Sequence, residues 1–86
     1  MPYVYLLRCA DGSFYTGWTV NLQARVAAHG AGKASRYTRA RLPVALAYAE
    51  EYATEGEARS REPKLRRLSH AAKERLCCGS AGPEAR

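Results

Sequence analysis

At 86 residues, 47% hydrophobic and 26% charged, the chain has room for one small core and none for a separate cofactor domain. Its formal net charge of +6 argues against basic partners and points to polyanions, meaning nucleic acid or an acidic membrane surface. No run approaches the ~18 apolar residues of a membrane span, Arg8 interrupts the N-terminal apolar stretch, and Cys9, Cys77 and Cys78 lack zinc-ligand spacing, so a reduced, cytoplasmic protein is expected.

Residues 3–19 read as a β-hairpin. Two aromatic-rich runs flank Ala10-Asp11-Gly12-Ser13, whose Asp-Gly pair is a turn former. Alternation puts Tyr3, Tyr5 and Leu7 on one face of the first strand, and Tyr15, Gly17 and Thr19 on one face of the second. If the register joins those faces, two phenols meet over a bare glycine backbone, where a substrate or facing strand can approach closely. The same tyrosines also serve as ordinary cross-strand packing.

Asn21 is an N-cap for a helix over residues 22–29, in which Leu22 and Val26 can face the core. Arg25 and His29 are four apart and share an adjacent face. They are candidate site residues, or else a solvated arginine and a C-terminal histidine favoured by the helix dipole. Residues 30–43 then form a basic loop with Lys33, Arg36, Arg39, Arg41 and Tyr37 and no acid. Residues 1–49 hold six cations (Arg8, Arg25 and those four) against Asp11 alone, so the first half carries +5 of the +6. Such a loop suits phosphate contacts with one stacking ring, or is merely solvated.

Pro43 opens a third strand, residues 44–52, supported by Tyr48 and Tyr52, with a helix as the competing reading. Thr54 and Glu57 make a capping box. The helix beyond carries Ala58, Leu65, Leu68, Ala72 and Leu76 along one stripe, and Glu62 falls on that stripe. A carboxylate there is costly unless paired or metal-bound. Pro63 is expected to break the helix at Glu62, which would let the carboxylate leave the core. Ser69 offers a further cap, and residues 79–86 are expected to be a disordered tail behind a domain spanning 1–78.

Taken together, Tyr3-Val4-Tyr5, Tyr15-Thr16-Gly17, Asn21-Leu22 with Arg25 and His29, the loop leading to Pro43-Val44, and Glu62 resemble, in order and spacing, the motifs of GIY-YIG nucleases. The likeness covers residues 3–76 and is nearest to small stand-alone bacterial members. Tyr3 stands where the family has glycine and Thr16 where it has isoleucine, and the usual late asparagine is not identifiable. The resemblance implies an α+β fold: a three-stranded antiparallel sheet of order 2-1-3 flanked by helices. It implies phosphodiester hydrolysis with one divalent metal, Mg²⁺ or Mn²⁺, held by Glu62. Arg25 would hold the scissile phosphate, Tyr5 would act as general base with Tyr15 beside it, and His29 would tune the phenols or relay a proton. Gly17 would make room for the phosphate or the facing strand, and Lys33, Arg36, Tyr37, Arg39 and Arg41 would contact nucleic acid. The partner implied is DNA ahead of RNA, with branched or damaged DNA in repair or recombination as the substrate class, cut by a monomer or weak homodimer away from any membrane. The competing classes are a non-catalytic nucleic-acid binder using loop 33–41, and a protein-interaction module in which Glu62 and Arg25 pair with each other.

Overall fold

The computed structural model describes residues 1–79; residues 80–86, most of the expected tail, lie outside the described residues. Three strands, β1 (Tyr3–Arg8), β2 (Phe14–Thr19) and β3 (Ala45–Glu51), form an antiparallel sheet of order β2-β1-β3. The helices are α1 (Leu22–Gly30), α2 (Arg36–Arg39), α3 (Glu55–Arg66) and α4 (His70–Gly79), the last ending one residue inside the expected tail. Among the described residues no helix is long and apolar enough to cross a membrane.

The hairpin register pairs Tyr3 with Thr19, Tyr5 with Gly17 and Leu7 with Tyr15, so the two tyrosine-bearing faces do coincide. The opposite face carries Val4, Leu6 and Phe14, which bury against Ala58 and Leu65 of α3, with Leu68, Leu76 and Cys77 closing the rim. Helices α3 and α4 therefore cover one side of the sheet, while α1 and α2 cover Tyr5 on the other. That alternation splits a small chain into two thin cores with β1 buried between them.

Local chemistry explains most boundaries. The Asn21 side chain accepts from Ala24 N–H at 3.1 Å to start α1. Thr54 and Glu57 exchange both bonds of the capping box that starts α3. Ser69 accepts from Ala72 N–H to start α4. A network then fastens β3 to α3: Glu50 accepts from the hydroxyls of Tyr48 and Tyr52, at 2.6 Å each, and from Arg61 through two nitrogens. Burial alone would raise the Glu50 carboxyl, but the bonds from Arg61, Tyr48 and Tyr52 outweigh it and hold the group below the usual carboxylate range.

Four expectations need correction. The loop 30–43 is not irregular throughout, because Ser35 accepts from Tyr37 N–H and nucleates the short α2. The third strand begins at Ala45, two residues after Pro43, and ends at Glu51. Helix α3 does not break at Glu62. Pro63 lies inside it, and the Arg67 N–H reaches the Pro63 carbonyl at 3.2 Å, so the turn continues past the proline. The bond that Pro63 forgoes would have gone to the carbonyl of Arg59, an exposed residue that water can serve. Finally, Leu22 and Val26 are only half-buried, and the buried residue of α1 is His29.

Candidate active site

Gly17 explains how the phenols fit. A Cβ at this position would sit 2.6 Å from the Tyr5 hydroxyl oxygen and 3.2 Å from Tyr15 Cε2. The space the glycine leaves is filled by the Tyr5 phenol, so Gly17 serves the facing strand rather than standing open for a phosphate.

Tyr5 is 1% exposed, and its hydroxyl lies 2.9 Å from Nε2 of His29, which is fully buried. The protonation pattern follows from the third member. The Thr38 hydroxyl must donate to the Ser35 carbonyl at 3.3 Å, because a carbonyl only accepts. Thr38 Oγ1 then accepts from Nδ1–H of His29 at 2.8 Å. That leaves Nε2 as the acceptor for the Tyr5 hydroxyl. The result is a directed chain, Tyr5 to His29 to Thr38 to the Ser35 carbonyl, that ties β1, α1 and α2 together. A dipole-favoured, solvated histidine is therefore not what α1 carries. Burial, reinforced by the Arg25 charge, lowers the affinity of His29 for a proton below its ordinary value.

The two phenols differ. Burial pushes Tyr5 well above the ordinary phenol range; Tyr15 and Glu62 push the same way and Arg25 opposes them. Tyr15 is half-buried, packs on His29 at a centroid distance of 4.9 Å, and its hydroxyl has no hydrogen-bond partner among the described residues. Tyr5 is thus committed to His29, whereas Tyr15 presents the free hydroxyl. Arg25 is exposed, makes no ion pair among the described residues, and acts electrostatically on both Tyr5 and His29. It also borders a hollow lined by Trp18, Thr19 and Glu55.

Glu62 is on the buried side of α3, 8% exposed. Its Oε2 accepts from Nε of Arg66 at 2.9 Å and also from the second terminal nitrogen of that guanidinium. Arg25 is not its partner. The other oxygen, Oε1, has no protein partner among the described residues. Because α3 lies across the sheet from α1, Glu62 and the phenols approach one another around the free edge of β2. No group of three His, Cys, Asp or Glu side chains that could hold a metal exists among the described residues. A lone carboxylate with one uncommitted oxygen fits Mg²⁺, which keeps several waters and needs no protein cage. It does not fit a cation that demands three or four protein ligands.

The basic segment divides in two. Lys33, Arg36 and Arg39 are exposed and, with Ser35 and Gly32, border a hollow of about 500 Å³. Arg41 is engaged: Nε bonds Asp11 at 3.0 Å, a terminal nitrogen bonds the Tyr37 carbonyl, and the guanidinium lies 3.9 Å over the Tyr37 ring. Tyr37 also meets Tyr15, with ring centroids 5.9 Å apart. The pair clamps α2 onto the hairpin turn and the phenol cluster, so one face of the expected stacking ring is already covered. A hollow of about 680 Å³, lined by Tyr52, Thr54, Ser60, Arg61 and Lys64 among others, shares no residue with this cluster.

The sequence motifs did not reveal Thr38 or Arg66. The four-residue spacing of Glu62 and Arg66 on one helix was available as a signal. Nothing in the sequence links Thr38 to His29.

The sequence profile of the GIY-YIG catalytic domain matches residues 1–75. A UPF0213 protein of Halobacterium salinarum is 46% identical over 76 residues, covering 88% of this chain and 99% of that protein. A UPF0213 protein of Streptococcus pneumoniae is 49% identical over 72 residues, covering 84% of this chain and 73% of that protein. The solution NMR structure of a UPF0213 protein from Bacillus halodurans is similar with a TM-score of 0.58 and 39% identity, covering 98% of this chain and 90% of that one.

Proposed function

The chain belongs to the GIY-YIG family, which implies a nuclease, and from that premise we propose that it is a divalent-metal-dependent endonuclease acting on DNA ahead of RNA, with branched or damaged DNA as its substrate class. The observation that carries this reading is the convergence of one uncommitted carboxylate oxygen on Glu62 with the free Tyr15 hydroxyl, the Tyr5–His29 pair and the unpaired Arg25 around the β2 edge.

Each residue then has a physical task. Arg25 attracts the scissile phosphate and offsets charge that grows on it during in-line attack. Tyr15, with its hydroxyl free and open to solvent, sits where an incoming water needs a proton acceptor. Tyr5 and His29 stand behind it as a fixed neutral pair: Tyr5 donates to Nε2, and the Nδ1–H bond to Thr38 holds the imidazole in the orientation against which the Tyr15 ring packs. The two phenols are neighbours, with centroids 6.4 Å apart, so the buried ring backs the half-exposed one. Mg²⁺ or Mn²⁺ held through Glu62 would supply the positive charge that neutralises the phosphate and leaving oxygen and makes phenol ionisation affordable near pH 7. Lys33, Arg36 and Arg39 hold the flanking backbone.

One observation favours a second reading. The ion pair between Glu62 and Arg66 occupies half of the carboxylate, as a non-catalytic binder would also have it. Cleavage assays on branched, single-stranded and duplex DNA and on RNA, with and without Mg²⁺, decide between them. The nuclease reading expects metal-dependent products that disappear in Glu62→Gln. Equal residual activity in both proteins would leave only the binder.

A further inference from the structure

Two further cations lie beside the site. Arg66 of α3 and Lys73 of α4 line one hollow with Tyr15, Tyr37, Phe14 and Thr16, at the edge of β2. Its volume, about 390 Å³, is within the ~300–1,000 Å³ common for small-ligand sites.

Two features of this hollow are costly unless something anionic or polar occupies it. Lys73 is half-buried and forms no ion pair among the described residues. Burial, together with the Arg66 charge, holds its ammonium below the usual lysine range. Independently, the Thr16 hydroxyl is buried and has no hydrogen-bond partner among the described residues, and Thr16 is on the wall of the same hollow, so a shift of that wall on binding would give the hydroxyl a partner. An unpaired ammonium, the one terminal nitrogen of Arg66 that Glu62 does not take, and two tyrosine rings are the chemistry of a nucleotide seat, in which cations take a phosphate and rings take the sugar or base.

We propose that this hollow is a subsite for a backbone phosphate next to the scissile one, gripped by Lys73 and Arg66 with the adjoining nucleoside against Tyr15 and Tyr37. The inference rests on the nucleic-acid reading of the neighbouring site. It extends the contact surface beyond the basic segment 33–39, around the β2 edge to α4. The backbone would then run along a path from Arg25 past Tyr15 to Lys73.

Lys73 provides the cleaner test, because removing Arg66 would also uncover Glu62. The probe is a 5′-phosphorylated thymidine tetranucleotide, titrated in EDTA so that no cleavage intervenes. Lys73→Met keeps the stem and removes the charge. It is expected to weaken binding by roughly tenfold, the effect of one charged hydrogen bond, and to lower the salt slope by about 0.7. Lys73→Arg should restore both. In the wild-type protein the amides of Thr16, Tyr37 and Lys73 should shift on titration, which decides the matter without any variant. Unchanged affinity and slope in Lys73→Met, or wild-type shifts confined to residues 33–39, would overturn the subsite. If Lys73-dependent binding is present but metal-dependent cleavage is absent, the subsite stands and the nuclease reading falls; the reverse result removes the subsite alone.

Discussion

The Tyr5 hydroxyl donates to Nε2 of His29 at 2.9 Å, joining the middle strand of the sheet to the end of α1 through two side chains that water barely reaches. The direction of that bond depends on Thr38, whose oxygen takes the other imidazole hydrogen at 2.8 Å. Thr38→Val keeps the shape and removes the acceptor. It should cost about 1–3 kcal/mol of stability, because a buried donor is left unmatched. It should also release the tautomer, so cleavage falls while affinity for uncleaved DNA holds. Imidazole ¹⁵N shifts read the tautomer directly. A variant with the wild-type ¹⁵N pattern and full activity would remove Thr38 from the hydrogen-bonded chain.

Gly17→Ala places a methyl against the Tyr5 phenol, where 2.6 Å is available. The phenol or the strand must move. Overpacking of this kind costs roughly 1–3 kcal/mol, and the displaced hydroxyl should lose its bond to His29. Urea unfolding and single-turnover cleavage should both deteriorate. Unaltered activity would mean that Tyr5 does not need its position.

The buried His29 predicts a pH dependence of stability. Burial first, then Arg25, lowers its folded pKa below the 6.5 of a free histidine. The unfolded chain therefore takes up a proton as pH falls through 6.5, while the folded chain resists. The stability that His29 contributes is present above pH 6.5 and is lost as pH falls toward its folded value. Urea midpoints at pH 7.5, 6.5 and 5.5 should drop more steeply for wild type than for His29→Gln. Parallel slopes would contradict the assignment.

Glu50 collects Tyr48, Tyr52 and Arg61 between β3 and α3, and Arg61 immediately precedes Glu62. Glu50→Ala should lose about 2–3 kcal/mol, since charged hydrogen bonds are the strong ones, and should lower activity by loosening the aim of Glu62. Thermal melts alongside cleavage rates test both. A stable variant with unchanged cleavage would show that α3 is positioned by its apolar stripe alone.

Within the basic segment, free and engaged cations should behave differently. Replacing Arg36 and Arg39 together should weaken DNA binding and flatten the logarithmic salt dependence by about one unit of slope per lost contact. Arg41→Ala, which breaks the clamp on Asp11 and Tyr37, should disturb folding of α2 while leaving that slope nearly intact. Equal slope changes for all three would place Arg41 on the nucleic acid after all.

How much of this could be read from the sequence depends on the range of the interaction. Strand alternation placed Tyr5, Gly17 and Tyr15 on one face, and the capping residues Asn21 and Thr54 marked two helix starts, because these signals act within a few residues. Glu62 was correctly assigned to the inward stripe. The break expected at Pro63 did not occur, since the bond it forgoes belongs to an exposed turn. Helix α2 is four residues long, too short for periodicity to register. The burial of His29 depends on Thr38 and Tyr5, nine and twenty-four positions away, and no local pattern encodes such a meeting.

The sheet order has one further consequence. Because β1 is hydrogen-bonded on both flanks, the backbone that carries Tyr5 can open to solvent only when the whole domain opens. Deuterium exchange at Tyr5 should therefore report global unfolding, whereas amides of α2 exchange through local fraying. Because Thr38 and Tyr37 anchor α2 to His29 and Tyr15, an opening of α2 would free the imidazole while the strand that carries Tyr5 is still in place.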